Sequence, residues 1–117
     1  MVSRRIQELN DLLITDEDGA FSILDLDTYK ISKIGNSGFL GNQLRRFDYF
    51  NDQVVVISYD DTIRLITKGE SKVKEIKSHQ IQNPTALFLS DKDIIIVYTD
   101  DSDNLLYRIW NRNGLSK

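Results

Sequence analysis

The sequence predicts an all-β protein built from a repeated unit of short strands, on three observations. Fourteen isoleucines and six valines stand against two alanines, Ala20 and Ala86, and β-branched residues favour pleated, half-buried surfaces where Ala favours helix. Three apolar triplets recur, Leu12-Leu13-Ile14, Val54-Val55-Val56 and Ile94-Ile95-Ile96, at spacings of 42 and 40 residues. Each triplet runs into an acidic turn: Asp16-Glu17-Asp18-Gly19, Asp60-Asp61, and Asp100-Asp101-Ser102-Asp103-Asn104. Asp, Asn and Gly suit tight hairpins because they tolerate left-handed backbone and bond their own main chain.

The elements follow from the triplets in chain order. Ahead of them lie strand candidates at Arg4 to Leu9, Gln43 to Phe50 and Pro84 to Leu89. Each triplet forms the second strand of its unit. Past the acidic turns come Ala20 to Leu24, Thr62 to Ile66 and Leu106 to Trp110, apolar segments that read as third strands. A further turn follows each: Asp25-Leu26-Asp27-Thr28, Thr67-Lys68-Gly69-Glu70 and Asn111-Arg112-Asn113-Gly114. The first two units continue into polar-alternating strands, Lys30 to Ile34 and Lys72 to Ile76, whose lysines suit an outer edge. The third unit has no such strand.

Four strands per ~40–45 residues is the period of a propeller blade. The expected architecture is a partial β-propeller of about three four-stranded antiparallel blades, residues 1–36, 37–78 and 79–117, with the last outer strand missing. Composition bounds the rest. The 117 residues are 40% hydrophobic and 28% charged, as in ordinary globular domains. No apolar run reaches the roughly 18 residues of a membrane helix, and no secretory h-region follows Met1, so no membrane partner and a cytoplasmic or nuclear location are expected. A net charge of −3 argues against nucleic acid as a partner. Without cysteine there is no disulfide, thiolate metal site or cysteine nucleophile.

Several segments resemble the WD-repeat family. Ser58 to Thr67 is similar to the family's hairpin between second and third strands. Phe21 to Thr28 is similar to its third-strand ending, with Leu24-Asp25 where Trp-Asp is usual. Trp110-Asn111 takes that place in the third unit, and Ser78-His79 ahead of Pro84 to Asp91 looks like the Gly-His opening. The chain departs from the pattern at Leu24 and Ile66, which replace Trp, and at Thr67 and Asn111, which replace Asp. The resemblance implies a hydrogen-bonded structural network in the third unit, from His79 through Thr99 and Asp100, Asp103 or Asn104 to Trp110. Asp18 and Asp60 hold the turn position of that network in the first two units.

Other readings are weaker on chemical grounds. His79 is the sole histidine, which excludes a multi-histidine metal centre, and no nucleophile elbow accompanies it, so no catalytic residue is assigned. The 100–104 turn fails as a calcium loop, since the twelfth position falls on Asn111 or Arg112 instead of Glu. No cofactor or metal is expected. Trp110 could anchor a partner, but its place in an apolar strand points to packing. Arg45, Arg46, Arg64, Lys68, Lys72, Lys74 and Lys77 read as a solvated strand face and its turns.

Three blades do not close a ring of typically 4–8. The remaining blades are expected from the same chain, another copy or a partner subunit. Propellers of the family it resembles mostly hold protein partners, so a non-enzymatic interaction scaffold within a larger assembly is expected. Asp16, Glu17, Asp18, Asp60, Asp61, Asp100, Asp101 and Asp103 would give one loop face an acidic character suited to basic protein segments. The alternative is a small-ligand or enzymatic propeller with a site on its central axis.

Overall fold

Alternation of apolar and polar side chains, interrupted by Asp-, Asn- and Gly-bearing turns, gives eleven strands among the described residues, with a 3-10 turn at Gly41–Gln43. The computed structural model describes residues 2–6, 11–77 and 84–112. The first sheet holds β1 (Val2–Ile6), β2 (Asp11–Thr15), β3 (Ala20–Asp25) and β4 (Ile31–Asn36). The second holds β5 (Leu44–Phe50), β6 (Gln53–Ser58), β7 (Thr62–Thr67) and β8 (Lys74–Lys77). The third has three strands, β9 (Pro84–Leu89), β10 (Asp93–Thr99) and β11 (Leu105–Asn111). Among the described residues strand order follows chain order in every sheet, all pairs are antiparallel, and no sheet closes on itself.

The three hairpins built on the triplets keep one register. Leu12 faces Leu24, Val54 faces Ile66 and Ile94 faces Trp110 across their strand pairs. The expected strand at Arg4 to Leu9 overlaps β1 over residues 4–6; β1 begins two residues earlier, at Val2, and positions 7–9 of the expected strand lie outside the described residues. Pairing with β2, from Val2 opposite Thr15 to Ile6 opposite Asp11, carries the strand back to Val2, a start that the irregular spacing of Val2, Ile6 and Leu9 does not mark in the sequence.

The sheets stack, with the second sheet in the middle. Successive side chains of a strand point to opposite faces, and β6 is buried on both. Val54, Val56 and Ile66 pack with Leu13, Phe21, Ile23 and Ile34 of the first sheet and with Phe39 of the connection after β4. Val55, Ile57, Ile63 and Leu65 pack with Leu87, Leu89, Ile94 and Ile96 of the third. Phe21 and Phe47 meet edge-to-face at 5.3 Å in the first of these layers.

Polar ties lock the stack at long sequence separation. Asp48 of β5 accepts the Leu89 backbone N–H at 2.8 Å, joining the second sheet to the third. Arg64 of β7 donates to the Ser37 carbonyl at 2.8 Å, lies 3.8 Å over the Phe39 ring and pairs with Glu75 at 2.8 Å. Its expected role as a solvated basic residue is corrected accordingly: Arg64 ties β7 to the connection that follows β4 and to β8. Arg112, read from sequence as a turn residue, is buried between the second and third sheets.

Candidate interaction surfaces

The acidic turns are built by their first aspartate. Asp16 Oδ1 accepts the N–H groups of Asp18 at 2.9 Å and Ala20 at 3.0 Å. Asp60 Oδ1 accepts the Thr62 N–H at 3.2 Å and the Ser58 hydroxyl. Asp100 accepts the N–H groups of Ser102 and Asn104, both at 2.9 Å, and the Asn104 amide at 3.1 Å. These donors, the Asn104 N–H foremost, hold the Asp100 carboxyl below its usual range. Asp16 thus shares its role with Asp60 and Asp100, and its carboxylate is engaged within its own turn.

Asp61 and Asp103 adopt the left-handed backbone the turns require, with φ of 65° and 60°. Asp61 is half-buried, whereas Glu17, Asp18, Asp101 and Asp103 are exposed. In the first unit the connection after β4 lies across the 16–19 turn. Ser37 N–H donates to Gly19 O at 2.9 Å, Gly41 N–H to Glu17 O at 2.8 Å, and the Asn36 amide to Asp18 O at 3.1 Å. Gly19, at φ 79°, permits this approach, since a Cβ there would sit 1.7 Å from the Phe39 carbonyl oxygen.

The residues expected to form one network are spread along the third sheet. Thr99 pairs with Leu105 at the turn end, whereas Trp110 pairs with Ile94 at the other end of the hairpin. Five residue steps along β10, from Ile94 to Thr99, separate the two levels, about 17 Å at strand rise. Trp110 instead packs, half-buried, against the core between the second and third sheets, with the Arg108 guanidinium 5.4 Å from its ring centroid. The register of this hairpin explains the separation: the third strand runs back past the whole triplet before Trp110 is reached. His79 lies outside the described residues.

A cleft of about 370 Å³ opens at the opposite end of the first two sheets, lined among others by Asp11, Asp25, Lys30, Tyr49, Asp52 and Lys68. The sequence reading missed it, because its walls come from three separate turns. Asp25 Oδ1 accepts the N–H groups of Asp27 at 2.8 Å and Thr28 at 3.2 Å, which holds that carboxyl below its usual range. Asp11 lies directly across the strand pair from Asp25. Burial, then the Asp25 and Asp27 charges, push the Asp11 carboxyl up. The Tyr49 hydroxyl donates to Asp52 Oδ1 at 3.3 Å and accepts the Asp52 N–H at 3.2 Å. Among the described residues no group of three or more His, Cys, Asp or Glu is placed to hold a metal ion.

Asp11→Asn is expected to stabilise the fold at pH 7 by about 0.3 kcal/mol, because like charges directly opposite in a ladder repel and solvent screens much of the effect. A raised carboxyl opposes folding above its folded-state pKa. The gain should therefore disappear below the ordinary value of 3.8, where Asp11 is protonated folded or unfolded. Denaturant titrations at pH 7 and pH 3 check the sign; an equal gain at both would remove the repulsion.

No family model matches the chain, and no curated protein matches it. Among solved structures, it is similar to one chain of an S. cerevisiae assembly of a Dbp5 variant bound to Nup159, a Gle1 variant, IP6 and ADP. The match has a TM-score of 0.51 at 18% identity and covers 95% of this chain and 33% of that one. The chain thus spans about a third of the length of the solved chain it matches, and the likeness is one of fold alone.

Proposed function

We propose that the protein is a non-enzymatic interaction module: three propeller-like blades, of the WD-repeat type its hairpins resemble, forming part of a larger scaffold. One observation carries the reading. Positions that the middle sheet buries on its two faces recur, uncovered, on the outward faces of the other sheets. Ile63 and Leu65 are each 1% exposed, while Tyr107 and Ile109, at the equivalent register positions of the third sheet, are 69% and 50% exposed. At the far end, Leu12, Ile14 and Leu24 of the first sheet occupy the places of Val54, Val56 and Ile66, and are only half-buried. Contiguous apolar faces of this kind mark surfaces that another sheet or protein covers. The exposed acidic residues Glu17, Asp18, Asp101 and Asp103 suit basic protein segments as further partners.

The 117 residues are accordingly expected not to persist as a stable lone monomer. At ~25 cal/mol per Å², a few hundred Å² of uncovered apolar face forfeits several kcal/mol, comparable to a domain's whole stability. Sedimentation velocity at micromolar concentration tests this. Association or loss of cooperative folding is expected, and a cooperatively melting monomer would overturn the reading.

A further inference from the structure

The repeat of the stack sets two equivalent clefts side by side. Between the second and third sheets, a cleft of about 300 Å³ is lined by Gln53, Thr67, Asp91 and Arg112, among others. Gln53 faces Thr67 at the terminal pair of its hairpin, and Asp11 faces Asp25 at the same pair of the first sheet. Lys68 follows Thr67 as Arg112 follows Asn111. The backbone N–H groups of Lys68 and Arg112 donate to equivalent turns, at Asp52 O and Lys92 O, both at 2.9 Å. The cleft of about 370 Å³ between the first and second sheets thus matches its neighbour by position: Asp11 for Gln53, Asp25 for Thr67 and Lys68 for Arg112.

The cleft between the second and third sheets shows which group such a place accepts. There the Arg112 guanidinium reaches across to Gln53 Oε1 and to the Ser90 and Phe50 carbonyls. In the other cleft the acceptor position holds a carboxylate, Asp11, and carboxylates bind a guanidinium more strongly than amides do. The cation position holds Lys68, which is exposed. The lining carries three carboxylates, Asp11, Asp25 and Asp52, beside the ammonium groups of Lys30 and Lys68. Even so, burial and then the Asp25 and Asp27 charges push the Asp11 carboxyl up, so the negative field prevails at that wall. Ile23 and Ile34 add an apolar stretch suited to the stem of a long basic side chain.

We propose that the cleft between the first and second sheets receives an arginine side chain of another polypeptide, its guanidinium on Asp11 as that of Arg112 is on Gln53. The stem lies along Ile23 and Ile34, and the carboxylate takes the planar fork in charge-assisted hydrogen bonds. This also gives a use to Asp11, whose charge opposes the fold; binding sites commonly retain residues at some expense to stability. The proposal deepens the interaction-module reading, on which it rests for a polypeptide partner, by naming one anchor residue and its seat.

The probe is acetyl-Gly-Arg-Gly-amide, whose blocked ends leave the guanidinium as its sole charge. Titrated into the full chain, it should give saturable NMR shifts at the amides of Asp11, Asp25, Asp52 and Lys68. The lysine counterpart should bind about threefold more weakly, and the uncharged citrulline counterpart about tenfold more weakly. Asp11→Asn, expected above to keep the fold, should weaken the arginine peptide about tenfold. Lys68→Gln, which removes a like charge, should strengthen it about threefold. Absence of saturable shifts, shifts confined to other surfaces, equal affinities for the three peptides, or full affinity in Asp11→Asn would overturn the site. Weaker binding in Lys68→Gln would also overturn it, by assigning the cleft to an anion. A chain that associates in solution yet ignores the peptide rejects the cleft alone. A stable monomer that takes the peptide rejects the wider reading and keeps the cleft.

Discussion

Leu65→Asp is expected to abolish folding, whereas Ile109→Asp, at the equivalent place one sheet along, is expected to leave the fold intact and suppress association. Leu65 faces Val55 across its strand pair and packs in the core with Leu87, Leu89, Ile94 and Ile96. A carboxylate there loses the burial of the leucine, about 2–3 kcal/mol, and adds a desolvated charge without a cation. The sum, at least about 5 kcal/mol, reaches the lower end of a domain's total stability. Ile109 faces Ile95 in the same way, but its side chain is half open to solvent. A carboxylate there stays hydrated within this chain and is desolvated only when something covers the face. Circular dichroism melts separate the two variants, and sedimentation compares Ile109→Asp with the parent. A normal melt for Leu65→Asp would contradict the stacked arrangement of the second and third sheets. Undiminished association of Ile109→Asp would place the contact elsewhere.

The strands were legible in the sequence because each is short, apolar and bounded by a residue that turns the chain. Pro84 to Leu89 is recovered without change, and the triplets grow by two, three and four residues into β2, β6 and β10. The acidic turns were legible for the same local reason: Asp16, Asp60 and Asp100 bond main-chain groups two to four residues away. The ties between sheets were not. Asp48 reaches Leu89 over 41 residues and Arg64 reaches Ser37 over 27. In sequence both are charged residues in alternating strands, where solvent is the default partner. The assignment of Trp110 to a network with Thr99 fails for a related reason. The dipeptide pattern locates Trp110 at a strand end, but only the register shows which end of the neighbouring strand it meets.

Arg112 is the strongest such tie, and its loss is expected to cost about 2–4 kcal/mol. It directly follows β11 and is only 7% exposed. Its Nε donates to Gln53 Oε1 at 2.7 Å, Nη1 to the Ser90 carbonyl at 2.7 Å, and Nη2 to the Phe50 carbonyl at 3.1 Å, with a second Nη2 contact to Gln53. Gln53 in turn donates to Thr67 Oγ1 at 2.9 Å, so one guanidinium joins the β5–β6 turn, β6, β7 and the β9–β10 turn. Burial pulls the Arg112 pKa down, yet an arginine stays charged at any working pH, so the site is not a pH switch. Arg112→Ala strands Gln53 Oε1 and two carbonyl oxygens in a partly dry interface, and each unmet acceptor costs about 1–3 kcal/mol before water enters to offset part of it. Arg112→Lys should recover less than half of the loss, because an ammonium cannot span acceptors that a planar fork meets in three directions. Gln53→Ala should cost less than Arg112→Ala, and the double variant less than the sum of the two, since both single changes break the same bonds. Denaturant melts of the four variants test the set. Strict additivity, or full rescue by lysine, would show that the second and third sheets are held by their apolar layer alone.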